Sequence, residues 1–176
     1  MTTGGVHLAL AALLATIALP GPAVADDAQV QRGKYLVSVT GCSDCHTPGG
    51  MLGQPDMARY LGGSDVGFAI PGLGVFVGEN LSPDKETGLG DWTSEQIIAA
   101  IRTGKTPEGR DLSPVMPFAA FSHLADADAE AIAAFLKSLP PVSNKVKNFG
   151  PKEPVTVSVS AILPPAVYNA LPAAQK

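Results

Sequence analysis

A chain of 176 residues has the length of one domain. Its charged fraction of 16% lies below the roughly 25% of an average globular protein, and 19 glycines with 16 prolines make much of it loop. The net charge of −4 argues against a nucleic-acid binder, which carries basic patches, and against docking through one large lysine field.

Residues Val6 to Leu19 form an apolar stretch, followed by Pro20-Gly21-Pro22 and by Ala23-Val24-Ala25 ahead of Asp26-Asp27. The pattern is that of a signal-peptide core, a helix-breaking segment and an A-x-A cleavage site. The run is shorter than the ~20 residues a membrane-spanning helix needs, so the expectation is cleavage after Ala25 rather than anchoring. The segment before it departs from the usual pattern in holding no lysine or arginine. The expected mature chain runs from Asp26 to Lys176.

From Asp27 the sequence predicts a short helix, with Val30, Gly33, Val37 and Thr40 at helical spacings and Tyr35, Leu36 and Val39 on adjoining faces. A glycine inside a helix costs about 1 kcal/mol relative to alanine, which a close helix crossing at Gly33 would justify. The helix runs into Cys42-Ser43-Asp44-Cys45-His46, the attachment pattern of a c-type haem. Two thiols at this spacing can add to the two vinyl groups of a porphyrin, and the next residue, His46, can bring its imidazole under the iron. Rival readings are a CxxC redox disulfide and half of a zinc site. A zinc site needs further cysteine or histidine ligands, and besides His46 only His7 and His123 remain. A redox disulfide would sit at the end of a strand in a βαβ pattern, and none precedes it. Export agrees with the haem reading, since this haem is attached outside the cytoplasm.

Between Thr47 and Asp91, Pro48-Gly49-Gly50, Gly62-Gly63, Pro71-Gly72-Leu73-Gly74 and Gly88-Leu89-Gly90 interrupt the chain too often for a long helix. Val75 and Val77 alternate with Phe76 and Gly78, enough for a short strand or hairpin. The apolar residues of this lobe, among them Leu61, Phe68, Ile70 and Phe76, need something to cover, and the porphyrin is the expected object. Next, Thr93 as N-cap with Gln96 three residues on makes a capping box, Ile97, Ala100 and Ile101 supply a buried stripe, and Gly104 stops the helix. Trp92 in front of it is either core packing or a donor from its indole N–H to a haem propionate.

Pro114-Val115-Met116-Pro117 is the second informative site. An electron-transfer iron bound to one histidine takes a sixth ligand, and a thioether raises its potential relative to a second imidazole. Met51 and Met57 follow His46 too closely to reach the opposite haem face without a tight reversal, whereas Met116 has room to go round the ring, and its flanking prolines restrict the backbone. The alternatives are a gap-filling Met116 and ligation by His123. The last predicted helix, Leu124 to Leu139, has Asp126 as expected N-cap, Asp128 and Glu130 in its first turn, and a stripe of Ile132, Phe135, Leu136 and Leu139, with the Gly33 helix as expected partner. Pro140-Pro141 ends it. From Ser143 to Lys176, Val155, Val157 and Val159 alternate with polar residues, a pattern equally open to a strap over the domain, an addition to a partner's sheet edge, and a disordered extension.

The order Gly33-Lys34-Tyr35-Leu36, CSDCH at 42 to 46, Met116 between prolines and an amphipathic terminal helix resembles a class I cytochrome c. More narrowly, Asn80 to Trp92 (NLSPDKETGLGDW), Ile97 to Gly104 and Ser113 to Pro117 (SPVMP) are similar to single haem units in the cytochrome subunits of bacterial membrane-associated alcohol, gluconate and aldehyde dehydrogenases. Those subunits usually carry three such units and this chain one. The resemblance covers about two-thirds of the chain, Val30 to Val142. It implies an all-α class I fold, with short helices and long Gly/Pro-rich loops around one covalent haem c, and His46 and Met116 as axial ligands. The expected division is a signal peptide at 1–25, a cytochrome c domain at 26–142 and an extended tail at 143–176. The implied function is periplasmic one-electron transfer from a partner dehydrogenase to an oxidase or another cytochrome, with membrane association through partners and no enzymatic activity of its own. The competing expectation is a five-coordinate haem that binds or reduces oxygen, nitric oxide or peroxide. A third, haem-free enzyme reading finds no paired carboxylates or nucleophile.

Overall fold

The computed structural model describes Met1, residues 27–161 and residues 165–170. The expected signal segment and its cleavage after Ala25 lie outside the described residues. Helix α1 (Asp27–Val39) leads through Gly41, in the left-handed region at φ 70°, into the short α2 (Cys42–His46). Two single 3-10 turns, Gly50–Leu52 and Met57–Arg59, and a hairpin of β1 (Val66–Ile70) and β2 (Gly74–Val77) fill the glycine-rich lobe. Then follow α3 (Ser94–Thr103), α4 (Phe118–Phe121), α5 (Asp126–Ser138), β3 (Ser158–Ser160) and α6 (Pro165–Ala170).

The core forms where α1 crosses α5. Leu36 and Val37 of α1 meet Ala131, Ile132, Phe135 and Leu136 of α5, with Ile97 of α3 and Leu61 of the lobe completing the cluster. Gly33 is the point of closest approach: a Cβ there would lie 1.9 Å from the Ala131 carbonyl oxygen, so the crossing forbids any side chain. Across the same contact the Arg32 guanidinium bonds Asp128 at 2.9 Å. Leu61, fully buried, holds φ 57°. That conformation costs a non-glycine residue about 1–3 kcal/mol. Its N–H donates to Thr47 Oγ1 at 2.9 Å and its carbonyl accepts from Leu81 N–H at 2.8 Å, which holds it in place.

The capping box of α3 is present, with Thr93 Oγ1 accepting from Gln96 N–H and Gln96 Oε1 accepting from Thr93 N–H, and Gly104 ends the helix at φ 71°. The start of α5 differs from the sequence expectation. Ala125, not Asp126, is the N-cap, and Asp126 is the first helical residue, its carboxylate 2.8 Å from Arg102 of α3. A tertiary cation thus takes the carboxylate that local capping would have used.

The expected all-α architecture of a class I cytochrome c gains a small sheet of order β2-β1-β3. Pro71 and Gly72 occupy the two central positions of the turn, Gly72 at φ 80° and Leu73 N–H bonded to the Ile70 carbonyl, which closes a type II turn and lets β1 and β2 pair antiparallel. The chain beyond α5 then grips both edges of this hairpin. Phe149, buried, exchanges two 2.8 Å backbone bonds with Val75 on the outer edge of β2, and β3 lies parallel to β1 on the other side. Asn80, also buried, ties the start of this segment to the lobe by donating to the Val142 carbonyl at 2.7 Å. Among the described residues no helix is long and apolar enough to cross a membrane.

Candidate haem site

Cys42 and Cys45 stand three residues apart on α2, one helical turn, so their sulfurs share a face, and His46 follows on the next position. The turn is pinned from outside by Gly78. A Cβ at that residue would lie 1.7 Å from the Cys45 carbonyl oxygen and 3.3 Å from His46 Nδ1, so only a bare backbone can pass this close. Nδ1 of His46 lies 2.7 Å from the Glu79 carbonyl oxygen. A carbonyl can only accept, so Nδ1 carries the proton and the Nε2 lone pair is left to bind a metal. Burial holds the imidazole below its ordinary pKa, against the opposing pull of the Glu79 carbonyl, and so favours the neutral ring.

Burial also pushes both thiols above the ordinary cysteine value, and for Cys45 the negative charge of Asp44 adds to the effect. Thr40 Oγ1 lies 3.3 Å from Cys42 Sγ. An exchanging CxxC pair needs the opposite environment, an electropositive one that lowers the thiol pKa. The redox-disulfide reading is thereby disfavoured. Among the described residues no cluster of three or more histidine, cysteine or acidic side chains is placed to hold a metal ion.

The thiols and the imidazole open onto a cavity with further walls from the hairpin and the later helices: Phe68, Phe76 and Val77 from the hairpin, Ile97 and Ile101 from α3, Phe121 from α4, Ile132 and Leu136 from α5. Met116 and Trp92 border the same cavity, so all five residues singled out in the sequence are brought together. The segment carrying Met116 is folded on itself, with Met116 N–H bonded to the Ser113 carbonyl at 3.0 Å and the Met116 carbonyl accepting from Phe118 N–H at 2.8 Å. His123 is exposed and is not part of the cavity wall, and Met51 and Met57 are exposed as well.

Two thiols and an available imidazole nitrogen at one wall, a thioether at another and an apolar surface between them form a donor set suited to a covalently held haem. Two wall residues had no signal in the sequence: Glu79, which offers its main-chain carbonyl to His46, and Asn148, which arrives from beyond the last core helix.

The sequence model of the cytochrome c family matches residues 30–140. The chain is 36% identical over 111 residues to the cytochrome c subunit of a quinone alcohol dehydrogenase from Gluconobacter oxydans, covering 63% of this chain and 21% of that protein. It is 35% identical over 125 residues to the gluconate 2-dehydrogenase cytochrome c subunit of Pantoea cypripedii, covering 70% and 26%. It is 30% identical over 146 residues to a diheme cytochrome c-type protein of Cereibacter sphaeroides, covering 79% and 48%. The chain thus spans between a fifth and a half of the length of these relatives.

Proposed function

Because the chain belongs to the cytochrome c family, and so is an electron-transfer haem protein rather than an enzyme in itself, we propose that it is a periplasmic one-electron carrier with a single haem c. Cys42 and Cys45 would hold the haem covalently, and His46 and Met116 would be the ligands of its iron. The observation that carries this reading is the convergence of Cys42, Cys45 and His46 with Met116, which lies 70 residues beyond His46, on one apolar cavity. When bound, the haem supplies a one-electron couple, the chemistry of an iron with His/Met ligation.

The chain's own residues do the rest. Glu79 accepts a hydrogen bond from His46 Nδ1–H through its main-chain oxygen, which fixes the tautomer and aims Nε2 at the cavity. Pro114 and Pro117 restrict the backbone on either side of Met116, and the turn at Ser113 and Phe118 holds the residue against the cavity. Phe68, Phe76, Leu124 and Ile132 keep water from the site. Trp92 borders the same cavity, and its indole N–H would donate to a propionate. With an imidazole and a thioether of the chain both available to bind the iron, the site would need no substrate pocket.

The dehydrogenase subunits among the relatives support a dehydrogenase as electron donor; an oxidase or another cytochrome is the acceptor we propose, and membrane association would come through these partners. The apolar segment at 6–19 with its A-x-A site supports export and cleavage. Expression in a host that attaches haem c tests the reading. The expected product is one covalent haem per chain, on the peptide containing Cys42 and Cys45, that resists cyanide in the ferric state. Colourless protein, or immediate cyanide binding by the native holoprotein, would overturn it in favour of no haem or of an open iron.

A further inference from the structure

The chain beyond α5 reaches the haem site from outside. Asn148 Oδ1 accepts from the Val77 N–H at 2.8 Å, taking the place of the next ladder acceptor at the end of β2, and its Nδ2 faces Glu79 Oε1 at 3.4 Å. The other carboxylate oxygen of Glu79 accepts from Arg110 at 3.0 Å. Next to Asn148, Phe149 is locked to Val75 by backbone bonds in both directions, and its carbonyl oxygen lies 2.1 Å from where a Cβ of Gly74 would be. The three residues Val77, Gly78 and Glu79 are therefore held between two bodies. Gly78 rests on the Cys45 carbonyl on one side, and Asn148 holds Val77 and Glu79 on the other.

We propose that Asn148 is a positioning residue for the axial imidazole: by holding the Val77–Glu79 segment it fixes the Glu79 carbonyl that accepts the His46 Nδ1 proton. The role rests on the reading of His46 as the iron's ligand. Partners one step removed from a metal orient the ligating histidine and set its basicity. A well-aligned Nδ1–H···O bond places more electron density on Nε2, favours the ferric state and lowers the reduction potential, one of the levers by which a protein tunes a haem. The segment that follows the core helix thus sets the potential of the carrier without touching the iron.

The experiment uses holoprotein and three chains: wild type, Asn148→Ala and Glu153→Gln. Glu153 accepts from Lys147 and from the Gly150 N–H on the same strap, so its variant loosens the strap at bonds other than those that hold Val77 and Glu79. Measured on the ferrous protein by NMR, exchange of the His46 Nδ1 proton should quicken by roughly fivefold in Asn148→Ala, about the worth of one hydrogen bond. The midpoint potential should rise, and neither quantity should move in Glu153→Gln. Wild-type exchange and potential in Asn148→Ala, or equal changes in both variants, would overturn the role of Asn148. The ring shifts of His46 separate the two layers. A ring without the large shifts of a haem-bound imidazole would sink the ligand reading itself, whereas shifted resonances with unaltered exchange would sink only the positioning role.

Discussion

Gly33 and Ala131 meet so closely that a Cβ on the first would stand 1.9 Å from the carbonyl oxygen of the second. The atom in the way belongs to the α5 backbone, which cannot swing aside. Gly33→Ala gains about 1 kcal/mol in helix propensity but overpacks a tight crossing, an error that costs about 1–3 kcal/mol or more. We expect net destabilisation of the holoprotein, seen as a lower denaturant midpoint. A variant as stable as the parent would mean that α1 and α5 do not cross at this distance.

Met116→Ala should lower the reduction potential and open the iron to added ligands, because loss of a thioether removes the ligand that favours the ferrous state. Spectroelectrochemical titration and cyanide binding check both effects. An unchanged potential and spectrum would remove Met116 from the site.

Replacing both cysteines, Cys42→Ala with Cys45→Ala, should leave little haem bound to the polypeptide after denaturation, measured by the mass of the unfolded chain. His46 alone cannot retain the cofactor covalently. Haem that stays with the doubly substituted chain would contradict attachment at these residues.

The Asp128 carboxyl is held below the ordinary carboxylate range, chiefly by its hydrogen bond from Arg32 and further by the charge of that guanidinium. A carboxylate whose folded pKa is depressed stabilises the fold above its unfolded pKa, and that contribution disappears as pH falls through the folded value, in the acid range below about 4. Arg32→Gln should raise the Asp128 titration midpoint towards the ordinary value in an NMR pH titration. Asp56, paired independently with Arg59, should not move. An unmoved Asp128 midpoint would mean that the pair across α1 and α5 does not form in solution.

The local elements were legible because their signals are local. Thr93 and Gln96 lie within one turn, and so do the residues of CSDCH; Pro71-Gly72 needs only its neighbours to make a turn. The glycine in α1 marked a crossing because no local reason existed for it. Asp126 misled for the same reason that the others succeeded: its position suits an N-cap, but Arg102, 24 residues earlier in the chain, holds its carboxylate. The tail's alternating valines were compatible with several fates, since an amphipathic strand does not announce the edge it will join. Only the hairpin decides that Val66 to Phe68 receive Ser158 to Ser160.

The sequence by itself determined the chemistry on offer: two thiols and an imidazole in register, a methionine between prolines, and helices with their stops. Each rests on covalent spacing or on the period of one helix. Tertiary structure alone decided which groups meet. It brought Met116 to the cavity of His46 and left His123 in solvent, set the Glu79 carbonyl on a ring nitrogen 33 residues away, and returned Asn148 to Val77 across 71 residues. Such pairings cost chain entropy that only the burial of the shared core offsets, so no stretch of sequence short enough to be read alone can contain them.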